Sequence, residues 1–240
     1  KKKVKLVTGT CSFPSPCFPF SVRDAMPIRS LFAAPFSCCV IALVSSASAA
    51  QDVRARDGAH GSVRFIENLG QWPADVQFAA DVGGVMARAE CGGLGFHSVS
   101  ASGEGHYVRL VFPGAGPIPQ PRGVNALPGV HHYYLGNDPS RWQRNARAFA
   151  RVEYADVYPG VDLVLYGNEG RPKYDLVLAP GVDPSVVRAR WLGADDVQAS
   201  SGGVGLLLGS ASLQEMPVVA WQPLGDASRR SVSCAWVDLG

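Results

Sequence analysis

From residue 62 onward the chain is a succession of short runs in which apolar and polar positions alternate. "HYVRLVF" (106–112) shows it most cleanly. Tyr107, Arg109 and Val111 fall on one face, and Val108, Leu110 and Phe112 on the other. That two-residue period is the mark of a half-buried strand. "SVRFIE" (62–67), "VQFAAD" (76–81), "GVMARAE" (84–90) and "LGFHSVS" (94–100) precede it. "VHHYYLG" (130–136), "FARVEY" (149–154), "VDLVLYG" (161–167), "KYDLVLA" (173–179) and "VVRARWLG" (186–193) come after. "GVGLLLG" (203–209), "ASLQE" (211–215), "PVVAWQ" (217–222) and "RSVSCAWVDL" (230–239) complete the series. Turn residues separate the runs, and no long stretch has a helical period. The pattern predicts an all-β fold, an antiparallel β-sandwich of many short strands. "PGAGPIPQPRGVNALPG" (113–129) reads as an irregular connection. A helical turn is expected in "DPSRWQRNA" (138–146), with Pro139 in the first-turn position after Asp138.

One pair of runs is specific enough to fix a register. "NEGR" (168–171) reads as a hairpin turn in which Gly170 takes a positive φ. With Glu169 and Gly170 as the loop, Leu165 faces Tyr174, Leu163 faces Leu176 and Val161 faces Leu178, all on one apolar face. The opposite face then carries Asp162, Val164, Tyr166, Lys173, Asp175 and Val177. This face is expected to be half polar and solvated.

The first fifty residues follow different rules. "MPIR" (26–29), the apolar run Ser30 to Val44 and the small-residue stretch "SSASAA" (45–50) have the three-part form of a secretory signal, cleaved after Ala49 or Ala50. The apolar run is shorter than the roughly 18 to 20 residues that span a bilayer. The expected division is a leader at 1–25 that lies outside the native start, a signal peptide at 26–50, a linker at 51–61 and a β-sandwich domain at 62–240. This predicts export to the periplasm, cell surface or medium, with no transmembrane segment in the mature chain.

Setting the leader apart changes the charge. Residues 51–240 hold sixteen Arg and Lys against nineteen Asp and Glu, a net of −3. No basic stripe remains to suggest nucleic acid. Cys91 and Cys234 are the two cysteines of this region. In an exported protein they can pair or remain buried thiols.

Candidate chemistry is sparse. Asp162 and Asp175 point the same way and have the diagonal spacing that a glycoside hydrolase asks of its two carboxylates. The competing reading makes them turn and sheet residues. Asn137, Asp138, Asp156, Asp162, Asn168, Asp175 and Asp183 offer oxygens for calcium, without the spacing of a calcium loop. His131 and His132 are adjacent and face opposite ways in a strand, so they do not chelate one ion together. No CxxC pair, nucleophile elbow or phosphate loop is present, and no motif calls for a cofactor. Of Trp72, Trp142, Trp191, Trp221 and Trp236, the first two flank turns and are the best candidates for stacking on a sugar.

"FIENLGQWP" (65–73), "YYLGNDPSRW" (133–142), "ARVEYADVYPGVDLVLYGNEGRPKYDLVLAPGVDPS" (150–185) and "PVVAWQ" (217–222) occur in that order. Together they resemble the uncharacterised domain that precedes SBBP-type β-propeller repeats in bacterial secreted and cell-surface proteins. Leu165, Lys173 and the His131–His132 pair depart from its usual pattern. The resemblance implies export, a β-rich domain and propeller repeats downstream in the full-length protein. It implies no enzymatic activity and transfers no catalytic residues. The expected function is a non-catalytic structural or adhesion module with a protein or glycan ligand. The alternatives are a carbohydrate-binding or calcium-stabilised adhesion domain and a glycoside hydrolase using Asp162 and Asp175.

Overall fold

The computed structural model describes residues 4–9, 39–43, 63–82, 84–99, 103–116, 120–209, 211–224 and 228–239. Seventeen strands account for most of them. In chain order these are β1 (Val4–Gly9), β2 (Cys39–Leu43), β3 (Phe65–Glu67), β4 (Val76–Val82), β5 (Val85–Glu90) and β6 (Gly93–Val99). Next are β7 (Gly105–Val111), β8 (Arg122–Tyr133), β9 (Gln143–Tyr158), β10 (Val161–Asn168), β11 (Arg171–Leu178) and β12 (Arg188–Leu192). The last are β13 (Asp196–Ser200), β14 (Gly203–Leu208), β15 (Ala211–Glu215), β16 (Val218–Pro223) and β17 (Arg229–Asp238). The all-β fold expected from the alternation is what forms.

Fourteen strands make one sheet in the order β10-β11-β2-β16-β17-β1-β12-β7-β6-β5-β4-β3-β9-β8, and β10 also pairs with β9. That extra pairing closes the curled sheet on itself and leaves β8 as the outer partner of β9. The β13, β14 and β15 strands form a separate three-stranded antiparallel sheet. The curled sheet encloses one apolar core. Phe65, Leu94, Leu110, Leu163, Leu165 and Leu176 in it are at most 1% exposed. Burying each such side chain contributes roughly 1.5–3 kcal/mol.

The β10–β11 hairpin has the expected register: Val161 opposite Leu178, Leu163 opposite Leu176, Leu165 opposite Tyr174. All six side chains are buried. Glu169 and Gly170 turn the chain with φ of 50° and 71°, the conformation of a tight two-residue hairpin loop.

Three expectations need correction. The connection expected at 113–129 is in part strand, because β8 begins at Arg122. It survives its turn residues through irregularities. Asn125 takes φ +57°, and the register slips between Leu127 and Val130, where Pro128 and Gly129 leave the ladder. Gly123 lies against the ring of Phe149, where a side chain would not fit. The second correction concerns the helical turn at 138–146, which is only a three-residue 3-10 turn, Pro139–Arg141. Gln143 already begins β9, which is sixteen residues long. Third, the polar face of the β10–β11 hairpin is not simply solvated, since Asp175 is 1% exposed and Val164 8%.

Two strands come from the segment that the sequence reading sets apart. β2 lies between β11 and β16, and β1 between β17 and β12. The remainder of the expected leader and signal peptide, and the expected linker at 51–61, fall outside the described residues. No helix among the described residues is long and apolar enough to cross a membrane.

Candidate contact surface

Asp162 and Asp175 share a sheet face but hold different positions. Asp162 is exposed, and its carboxylate accepts the backbone N–H of Asp156 at 2.8 Å. Asp156 in turn accepts the N–H of Gly160 at 2.9 Å and itself takes φ +52°. The pair thus ties down the turn between β9 and β10. Asp175 accepts the Tyr166 hydroxyl at 2.9 Å, with Lys173 Nζ 3.9 Å from its other oxygen. Burial pushes its carboxyl up to about 6, while Lys173 and Tyr166 pull the other way. Desolvation also lowers the Lys173 ammonium. Neither aspartate lines the cavity beside Gly70 and Gln143 or the one beside Ser200 and Trp236.

The other oxygen-bearing residues do local work too. Asp138 and Asp183 cap the 3-10 turns Pro139–Arg141 and Pro184–Val186, each accepting a serine N–H two residues on. No group of three His, Cys, Asp or Glu side chains suited to an ion is found among the described residues. His132 is exposed, and its Nδ1 accepts the N–H of Asn145. Cys91 and Cys234 are not joined to each other. Cys91 is exposed, and the Cys234 thiol donates to Val218 O.

Two carboxylates that the sequence reading passed over are placed at the core. Glu90, 1% exposed, accepts the Tyr107 hydroxyl at 2.7 Å and lies 3.1 Å from Arg109 Nε. Gly95 leaves room for it, because a Cβ there would run into the Glu90 carboxylate. Glu215 keeps part of its surface exposed, yet its carboxylate is enclosed by three donors. Tyr174 Oη lies at 2.9 Å, and the indole nitrogens of Trp191 and Trp236 at 3.0 Å each. Desolvation lifts the Glu215 carboxyl to about 7, with the three hydrogen bonds opposing. Glu90 follows an alternating run, and Glu215 has the same parity as Leu213. Only strand parity marked either as inward-facing.

The tryptophans divide accordingly. Trp191 and Trp236 are buried against Glu215. Trp221 lies under the Arg229 guanidinium, 4.1 Å from its ring centroid. Trp72 packs edge-on against Tyr133 at 5.3 Å, over the small cluster of Ile66, Ala146 and Ala148. Trp142 stands at the free end of the β8–β9 hairpin.

That end has an unusual surface. Tyr134 and Leu135 are 56% and 57% exposed. Tyr134 lies parallel to His132 at 6.0 Å and edge-on to Trp142 at 5.2 Å, with the Arg144 guanidinium 5.7 Å from its ring. Trp142 is held by its indole N–H, which donates to Gly136 O at 3.1 Å. The alternation of strands puts Tyr133 and Gln143 on the other side, facing the 68–73 loop. Between hairpin tip and loop lies an open cavity of about 320 Å³. Gly70, Gln71, Leu135, Ser140, Arg141 and Gln143 line it.

The loop that forms the far wall is rigidly built. Asn68 anchors it. Its side-chain amide donates to the carbonyls of Pro73 and Val76 at 3.0 and 2.6 Å, and its oxygen accepts the N–H groups of Gly70 and Trp72. Gly70, at φ +115°, makes the bend. A bidentate pair between Arg147 and Glu67, closest at 2.7 Å, fastens the hairpin to β3 beside it. The sequence reading named Trp72 and Trp142 here but not Tyr134, Arg141 or Arg144. Their exposure depends on where β8 and β9 end.

The described residues form an all-β protein of curled antiparallel sheets. Residues 65–239 match the family model described as a domain of unknown function, DUF7948. The chain belongs to that family. No curated protein and no solved structure matches it.

Proposed function

We propose that the chain is a non-catalytic interaction module of an exported bacterial surface or secreted protein, which meets its ligand with the tip of the β8–β9 hairpin. One observation carries the reading. Exposed Tyr134, Leu135, Arg141 and Arg144 gather with half-buried Trp142 at that tip, around an open cavity, on a support fixed by Asn68 and Arg147. Elsewhere the carboxylates that suggested chemistry are bound up in turns and in the core. Asp162 secures a turn and Asp175 a sheet position, which favours a structural role over the glycosidase reading. Export rests on the signal-like segment at 26–50, and downstream SBBP propeller repeats rest on the motif resemblance. A glycan is the favoured ligand class over a protein, because Tyr134 and Trp142 combine stacking surface with the Gln143 amide and the Ser140 hydroxyl in a small space.

The test is a titration of the full chain with soluble polysaccharides (dextran, xylan, alginate and polygalacturonate) followed by indole fluorescence, with reducing ends measured after long incubation. Binding by at least one of them is expected, lost in Y134A/W142A without a change in melting temperature, and with no new reducing ends. Binding indifferent to the tip substitutions, or cleavage that disappears in D162N/D175N, would contradict the proposal.

A further inference from the structure

We infer that the tip selects acidic glycans, sugar chains bearing carboxylates, over neutral ones; this rests on the reading of the tip as the contact surface. Position sets two arginines apart. Several exposed arginines, Arg64, Arg188 and Arg230 among them, have no ion pair among the described residues, but Arg141 lines the cavity and Arg144 lies by the Tyr134 ring. Arg147 is held by Glu67, Arg122 by Glu153 and Arg109 by Glu90. For Arg141 and Arg144 no ion pair is found among the described residues, although both are exposed and both belong to the tip. The nearest acidic side chain along the chain, Asp138, keeps its charge but turns its carboxylate to the N–H and hydroxyl of Ser140, and no ion pair joins it to either guanidinium among the described residues.

Residues 68–73 and 131–145 hold Arg141 and Arg144 against the one carboxylate of Asp138, so the tip is a spot of net positive charge. Such a spot attracts anions and orients their approach. Guanidinium matches carboxylate in shape, with two parallel N–H donors for two oxygens. Arg144 is kept beside the Tyr134 ring by cation–π attraction, which limits its freedom before any ligand arrives. Arg141 is a wall of the cavity.

The surroundings favour a sugar over an acidic peptide as the bearer of the carboxylate. The cavity of about 320 Å³ is at the small end for ligand sites. The Gln71 amide is engaged with the Leu69 N–H and the Glu67 carbonyl, but the walls also carry the Gln143 amide and the Ser140 hydroxyl. Those groups suit a ring carrying several hydroxyls. Leu135 is the one large apolar side chain among the lining residues, which leaves little to anchor peptide side chains.

The experiment uses the full chain and three acidic oligosaccharides, from polygalacturonate, alginate and hyaluronate. The methyl ester of the first serves as a neutral copy of the same ring. Binding is measured by calorimetry at low and at 0.5 M salt. At least one acidic oligosaccharide is expected to bind ten-fold or more tighter than the ester, with the advantage reduced at high salt. R141Q/R144Q should bring binding of the acid down to within about three-fold of the ester while leaving the melting temperature unchanged. Equal binding of acid and ester, still lost in Y134A/W142A, would overturn acidic selectivity and leave the contact surface standing. Acid binding unaffected by both sets of substitutions would overturn the contact surface as well. Oligoglutamate binding as tightly as the best uronate would reassign the site to acidic peptides and overturn the glycan class. Failure of all three acidic oligosaccharides to bind would overturn the inference outright.

Discussion

Trp236 donates its indole N–H to Glu215 Oε1 at 3.0 Å, tying the last strand of the domain to the small three-stranded sheet. Trp191 and Tyr174 donate to the same carboxylate from β12 and β11. Three separated strands therefore converge on one acidic group, for which no ion pair is found among the described residues. Removing it leaves two indoles and a phenol without their acceptor, and unsatisfied groups of this kind cost about 1–3 kcal/mol each when buried. Glu215→Leu is expected to lower stability by several kcal/mol in chemical denaturation. A loss below about 1 kcal/mol would show that the convergence is incidental.

The same group predicts a pH dependence. Burial holds the folded carboxyl at about 7, above the ordinary value of 4.5. A carboxyl raised in the folded state binds its proton more tightly there than in the unfolded chain. Its contribution is fully present below about pH 4.5 and is lost as pH rises through about 7. Asp175, raised to about 6, acts in the same direction over a lower window. Stability should fall between pH 5 and pH 8, by on the order of 1–2 kcal/mol from Glu215 after allowance for its partial exposure. In Glu215→Gln the fall should shrink to what Asp175 contributes. Identical slopes in wild type and variant would contradict this.

Asp162 offers a contrast. It is exposed and holds one backbone N–H in a turn. Asp162→Ala should cost about 1 kcal/mol, the usual worth of such a hydrogen bond, and leave ligand binding at the tip unchanged. Thermal melts beside the oligosaccharide titration measure both. Loss of binding on this substitution would move the site to the β10–β11 face.

Gly95 sits where an added Cβ would collide with the Glu90 carboxylate and crowd the Tyr107 hydroxyl. Gly95→Ala should therefore push Glu90 away from Tyr107 and Arg109 and destabilise the fold by about 1–3 kcal/mol, as overpacking does. Gly84→Ala serves as the control, because a Cβ there meets nothing within 4 Å although its φ is +83°. Its loss should stay near 1 kcal/mol. A Gly95→Ala loss no larger than that of the control would show that the Glu90 carboxylate moves aside without appreciable cost.

The β2 strand fills the space between Asp175–Leu178 of β11 and Val218–Trp221 of β16. Cleavage after Ala49 or Ala50 would remove it together with β1. Ladder amides facing an empty slot exchange with solvent. Amides of β11 and β16 that face β2 should then exchange at least ten-fold faster in a chain beginning at residue 51 than in the full chain. Equal protection would mean that the two strands close on one another without it.

How far the sequence spoke depended on what each element needed. The β10–β11 hairpin was legible to the single residue, because six strictly alternating apolar positions and a Glu-Gly turn admit one register. The β8 strand was not, because Pro128 and Gly129 read as loop while bulges let the ladder continue on both sides of them. Asp175 and Asp162 look equivalent in sequence; only the closure of the sheet buries one and exposes the other. Trp72 and Trp142 were visible candidates from their flanking turns. Tyr134, Arg141 and Arg144 gained meaning only once β8 and β9 were seen to end together, and Glu215 only once three distant donors met on it.

If the hairpin tip is where this domain meets its ligand, hydrogen exchange of the full chain, with and without the tightest-binding oligosaccharide, should locate the contact. New protection is expected only in the 68–73 loop and residues 131–145. Protection centred instead on the β10–β11 face around Asp162 and Asp175, with the tip unchanged, would contradict it.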